Sequence, residues 1–282
     1  MHTALECISC LIRQSLEAAR IVSDDPAVHE SLFRKTLLKT SEMDLRQSPP
    51  EMAQFIHREL RSISGVDDPY RQIKDNMNAV ALSMLPSFKE IICQSPDPLF
   101  TAARLAIAGN VIDFGPNGDL SEGDVIRAME QTFQDTFHGN YEAFKKDLQQ
   151  AKSIVYLADN AGEIAFDRLF IEQLLPKDIT VAVRGAPSIN DATLPDAATV
   201  GLDTIVKIID NGSDAPATIL PDCSEEFLSH FENADLIIAK GQGNYESLNQ
   251  ETGNIWFLFK VKCAVAARLT GQPVNTHMLI HS

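Results

Sequence analysis

The chain has 282 residues, of which 44% are hydrophobic, enough for one large domain or two of medium size with a substantial core. A formal charge of −15 excludes nucleic acid as the expected partner, because that recognition neutralises phosphates with basic patches. No apolar run approaches the ~20 residues that span a bilayer, and Met1 to Glu6 has no basic segment leading into an apolar one, so a cytoplasmic location and no membrane partner are expected.

In chain order, the first half reads as helix. Apolar residues recur at spacings of three and four over 5–21, 27–39, 50–63, 69–92 and 99–108, with Ser48-Pro49-Pro50, Gly65 and Ser95-Pro96-Asp97-Pro98 as breaks and starts. Asp67-Asp68-Pro69-Tyr70, and Asn76 and Asn78 after it, read chiefly as a helix start. The second half alternates strand-like runs (153–158, 179–183, 204–208, 236–239, 255–261) with helix-like ones such as 164–175 and 224–231. The expected architecture is α/β: an N-terminal helical bundle, residues 1–148, packed on a C-terminal Rossmann-like domain, residues 149–282. The latter would hold a largely parallel sheet with helices on both faces, and the site.

The ends of three strand-like runs carry the chemistry. After Ile154-Val155-Tyr156 comes Asp159-Asn160-Ala161-Gly162-Glu163, so two carboxylates and a carboxamide sit where a strand hands over to a helix. In open α/β sheets this is where ligands bind. Asp and Asn oxygens suit a hard cation such as Mg²⁺ or Mn²⁺, although either residue also serves as a plain helix cap. The next run delivers Arg184, Gly185, Asn190 and Asp191, and the one ending at Ala239 delivers Lys240-Gly241-Gln242-Gly243-Asn244. A cation and two glycines are what close approach of backbone to a phosphate requires. The combined set divides into metal ligands and anion binders. Gly109-Asn110-Val111-Ile112-Asp113 reads either as a left-handed helix end or as part of an interdomain cleft.

Five cysteines, an odd number, argue against a disulfide framework. Cys7 and Cys10 form a CxxC on one helical face, and either ordinary half-buried thiols or a second metal or redox site with Cys263 fits it. The seven histidines form no ligand motif and are expected on the surface or on helix faces.

These residues together resemble a known family. Glu6-Cys7-x-x-Cys10-x-x-x-Gln14, Asp68-Pro69-Tyr70, Ala108-Gly109-Asn110-x-Ile112-Asp113-Phe114-Gly115, Asp159-Asn160-Ala161-Gly162-Glu163, Arg184-Gly185-x-Pro187-x-x-Asn190-Asp191 and Lys240-Gly241-Gln242-Gly243-Asn244 are similar to the damage-control phosphatases, the domain-of-unknown-function 89 family. The chain looks like the prokaryotic subfamily with an N-terminal CxxC, and the likeness runs to Cys263. It departs at Cys263-Ala264, where the family often has proline after the cysteine.

The resemblance implies a metal-dependent phosphatase acting on small phosphorylated metabolites such as sugar phosphates. It implies one divalent ion (Mn, Mg, Co or Ni) on Asp159, Asn160 and Asp191, with Lys240 gripping the phosphate. Glu163, Asn110 and Asp113 would line the cleft; Asn190 and Gly241 belong to the same motifs, and Arg184 is added on charge grounds. Glu163 is the expected base for the attacking water, and attack by Asp159 on phosphorus is the covalent alternative. Two other readings are a methyltransferase using S-adenosylmethionine and a metal-binding module without turnover. Substrate selectivity is expected from loops such as Asp210 to Asp214.

Overall fold

A computed structural model describes residues 1–109 and 133–282. The first half is helical: α1 (Leu5–Val22), α2 (Pro26–Glu42), α3 (Pro49–Ser64), α4 (Arg71–Gln94) and α5 (Pro98–Ala108). Local chemistry sets several of these bounds. Ser48 and Glu51 form a reciprocal capping box at the start of α3, Pro49 fills its first turn, and Gly65 (φ 68°) ends it in the left-handed region. The Asp97 carboxylate accepts the Phe100 N–H at the start of α5.

The second half winds a sheet. Its elements are β1 (Phe137–Gly139), α6 (Tyr141–Gln150), β2 (Ser153–Leu157), α7 (Glu163–Glu172), β3 (Asp178–Val183), α8 (Leu194–Thr199), β4 (Lys207–Asp210), α9 (Glu225–Asn233), β5 (Leu236–Lys240), α10 (Gly241–Leu248), β6 (Ile255–Lys260), α11 (Ala264–Thr270) and β7 (His277–His281). The strand order is β1-β7-β6-β5-β2-β3-β4. Strands β2 to β6 pair parallel, and β7 joins β6 antiparallel. The chain runs outward from β2 through β3 to β4, then crosses back to lay β5 on the other side of β2. That reversal opens a crevice at the carboxyl ends of β2 and β5.

Alternation along the strands explains why both faces are covered. Ile154, Tyr156, Leu236, Ile238, Trp256 and Leu258 point into a core shared with α4, α5, α6 and α7. Val155, Leu157, Ile237, Phe257 and Phe259 point the other way, onto Phe227 and Phe231 of α9, Tyr245 of α10 and Ala266 of α11. A third cluster, including Leu11, Leu32, Ile56 and Leu60, binds α1, α2 and α3 together.

The expected 204–208 strand starts later, at Lys207, because Leu202–Thr204 forms a 3₁₀ turn. Strands β1 and β7 had no counterpart in the sequence reading. His57 lies on a helix face, as expected, although that face is buried in α3, whereas His277 is a buried strand residue in β7. Among the described residues no helix is long and apolar enough to cross a membrane.

Candidate active site

Asp159, Asn160 and Glu163 follow β2, Arg184 and Asp191 follow β3, and Lys240 ends β5, so all converge on the crevice where the strand order reverses. The first two loops are stitched directly. Asn160 and Asp191 form a β-bridge, the Ala161 N–H donates to Asn190 O at 2.8 Å, and the Ala192 N–H donates to Asp159 O at 2.8 Å. Asn160 is half-buried, and its amide donates to Asp159 Oδ2 at 2.8 Å and to Glu163 Oε2 at 3.0 Å. Two helices, α7 and α10, begin at this point, and helix N-termini favour negative charge.

Both cations expected to meet a phosphate are spent inside the protein. Lys240 Nζ, fully buried, donates to Glu163 Oε1 at 2.6 Å, Asp167 Oδ1 at 2.6 Å and Ala106 O at 2.8 Å, which occupies all three of its hydrogens. Arg184 donates to Asp191 Oδ2 at 2.7 Å, approaches Asp159 Oδ1 at 3.8 Å, and reaches Thr218 and Asn244 with its other nitrogens. Each cation therefore fixes acids in place. Sequence shows a charge at a strand end but not the partner it has turned to.

The electrostatics follow from this packing. Burial pushes the Glu163 carboxyl up to about 7 against the pull of Lys240, with Asp159 and Asp167 adding to the rise. Asp191 is likewise raised to about 7 by burial, opposed by Arg184 and assisted by Asp159. Burial also raises Asp167, whose Oδ1 accepts the Tyr156 hydroxyl at 2.7 Å. Burial would lower the Lys240 ammonium, but Asp167 and Glu163 outweigh it and hold the group above the ordinary lysine value. Four carboxyl groups thus face two cations, an excess of acid that a cation would relieve.

Gly241 is required where it stands. Its φ is 81°, and a Cβ there would lie 2.0 Å from Asp159 Oδ2. Gly162, at φ 74°, turns the chain from Asn160 into α7 with its N–H on the Asn78 carboxamide at 2.7 Å. Gly109 packs against Glu163 and Phe166, which brings the end of α5 to the site, and its backbone is right-handed rather than left-handed. Asn110 and Asp113 lie outside the described residues. A cavity of about 540 Å³ beside the Asp191 loop is lined by Asp68, Arg71, Asp75, Arg184, Pro187 and Thr193.

The thiols form a separate group. Cys7 and Cys263 are half-buried and Cys10 is exposed, and all three are free. Burial raises the Cys7 thiol, and Cys263 and Cys10 are near enough to add to the shift. Cys263 caps α11 and accepts from Gln242 Nε2 at 3.6 Å. Among the described residues no three His, Cys, Asp or Glu side chains form a ready metal cage.

Sequence reasoning missed Asp167 and Thr218, and it named Asn244 and Asn78 without giving either a role of its own. Two of them had a signal: Asp167 stands four residues after Glu163 on one face of α7, and Asn244 ends the polar run that leaves β5. Asn78 and Thr218 had none.

Residues 3–278 match the damage-control phosphatase ARMT1-like domain. A protein of Methanocaldococcus jannaschii is 39% identical, the match covering 98% of this chain and 94% of that one. A damage-control phosphatase of Archaeoglobus fulgidus is 36% identical over 95% of each chain. The crystal structure of a domain-of-unknown-function 89 protein from Pyrococcus horikoshii superposes with a TM-score of 0.90 at 30% identity, covering 100% of this chain and 99% of that one. By sequence, fold and the match across nearly its whole length, this chain belongs to the damage-control phosphatase family.

Proposed function

We propose that this protein is a divalent-cation-dependent phosphatase that hydrolyses phosphate monoesters of small metabolites in the cytoplasm. One observation carries the reading: among the described residues four buried carboxyl groups gather at the sheet's reversal point against the cations of Arg184 and Lys240, an acid-rich cluster of oxygen donors. Relatives named damage-control phosphatases support the same conclusion.

The donor set fits a hard cation. The Asp159 and Asp191 carboxylates and the Asn160 carboxamide would hold it, with water and substrate completing the shell, as suits Mg²⁺ or Mn²⁺ and equally admits Co²⁺ or Ni²⁺. Once bound, such an ion supplies polarisation of the phosphoryl oxygens and a more acidic water.

The chain's own residues do the rest. Arg184 keeps Asp191 and Asp159 at a fixed separation and offsets part of their repulsion. Glu163 takes a proton from water at Oε2 while Lys240 holds Oε1, and its raised pKa suits a base working near neutrality. Lys240 stabilises the site through Glu163 and Asp167 rather than by touching the phosphate. The N-termini of α7 and α10, with the carboxamides of Asn160 and Asn190, face the charge that builds on the phosphoryl oxygens. The cavity beside Arg184 takes the organic part of the ester.

The test is phosphate release from an aryl phosphate and a panel of sugar phosphates, with metal-stripped protein resupplied with each ion. Asp159→Ala and Asp191→Ala should each lower release by about 100-fold or more, the scale of losing a direct charge-stabilising contact. Release that needs no ion, or that survives both substitutions, would sink the proposal.

A further inference from the structure

We infer that Asn78, on α4 in the helical half, is a positioning residue that sets the spacing between the two loops carrying the candidate cation ligands; this rests on the function proposed above. Asn78 is fully buried and both ends of its carboxamide are used. Oδ1 accepts the Gly162 N–H at 2.7 Å, and Nδ2 donates to Asp196 Oδ1 at 2.9 Å.

Each contact reaches one loop. Gly162 lies between Asn160 and Glu163 at φ 74°, a conformation in which its N–H points out of the α7 ladder towards α4. Asp196 stands in the first turn of α8, directly after the other loop. Its Oδ2 accepts the Thr193 N–H at 2.9 Å and the Thr193 hydroxyl at 2.6 Å, and Thr193 lies two residues beyond Asp191 and bridges to Arg184. Lys74, at 3.0 Å, and Arg71, at 2.8 Å, both from α4, hold the Asp196 carboxylate in place. Already joined edge to edge by the Asn160–Asp191 bridge, the two loops gain from Asn78 a third fixed point behind them.

The carboxamide satisfies both loops, with an acceptor at one end and a donor at the other. An aspartate would keep the acceptor for Gly162 but set a carboxylate against Asp196, while an alanine would leave the buried Gly162 N–H without its partner. Residues behind metal ligands act through ligand geometry, and their loss typically weakens metal binding about 10- to 100-fold.

The experiment compares wild type, Asn78→Asp and Asn78→Ala. Mn²⁺ binding is read from the paramagnetic resonance of the free ion, alongside melting temperature and the exchange rate of the Gly162 amide in metal-free protein. The expected result is Mn²⁺ binding weakened by about 10- to 100-fold in both single variants. Gly162 exchange should speed up in Asn78→Ala but not in Asn78→Asp. Wild-type affinity in the single variants would overturn the inference. So would a loss that tracks melting temperature while Gly162 exchange in Asn78→Ala stays at the wild-type rate. A wild type that neither binds Mn²⁺ nor releases phosphate would overturn the proposed function, and the inference with it.

Discussion

Gly241 shows how tightly a single position is constrained. Replacing it with alanine puts a methyl group onto the Asp159 carboxylate and forces a side chain into the left-handed region, so two penalties fall on one residue. Gly241→Ala is expected to cost about 1–3 kcal/mol of stability from the backbone alone. It should also depress cation-dependent phosphate release, because Asp159 must move. Denaturant unfolding and a turnover assay on the folded variant check both; a variant with full turnover would show that Asp159 does not need its present position. Individual side chains also mark where sequence reading stops. Asp159 and Asp191 were legible because a strand end is a privileged place for an acid. Asp167 was not, since a carboxylate four residues into a helix looks like any solvated helix residue until Lys240 is seen against it.

Helix α3 grips the loops from the other side. Asp214 accepts from Gln54 at 2.7 Å and from Arg58 at 2.6 Å and also pairs with Arg61, whose other nitrogen donates to Pro187 O at 2.6 Å. The loop that the sequence marked for substrate selection is thus tied by one of its acids to the helical half. Asp214→Ala leaves two guanidiniums with a lost partner and is expected to cost about 1–3 kcal/mol. Urea unfolding measures this, and a midpoint equal to wild type would mean these contacts are replaced by water without loss. At this scale the reading of the sequence was strongest where burial was complete. The runs that became β2, β3 and β5 are apolar on both faces, a pattern that only a covered strand needs. Strand β1 has three residues, too few to show a period, and the apolar run of β7 is only Met278 to Ile280, with a histidine at each end.

For the whole molecule, pH acts through two buried histidines. Burial, helped by Arg61, pushes His57 down to about 3, and burial with Lys260 and Arg104 pushes His277 down to about 4, from an ordinary 6.5. Below pH 6.5 the unfolded chain takes up protons that the folded chain refuses, so these residues lower stability as pH falls from there towards their folded values. The slope is up to about 1.4 kcal/mol per pH unit for each. Glu163, Asp191 and Glu246, all raised to about 7, act in the opposite sense by protonating more readily when folded. The histidine part is isolated by difference: on acidification the stability of wild type should fall towards that of His57→Gln and His277→Gln. Parallel curves would refute it. Fold class was legible from the change of periodicity near residue 150, but strand order was not, because placing β5 beside β2 depends on contacts about 80 residues apart in the chain.

The reversal of strand order has a consequence in time. Ribosomal synthesis makes Asn78 first, then Gly162, then Asp191 and Asp196, and Lys240 last of these. The lysine that offsets Glu163 and Asp167 is therefore made after both of them. Until β5 is threaded beside β2, the growing chain carries a cluster of acids without its principal counter-charge. Pairing β5 with β2 is thus the step that brings the acids and their lysine together, and a chain in which that pairing has not formed keeps Glu163 and Asp167 apart from Lys240.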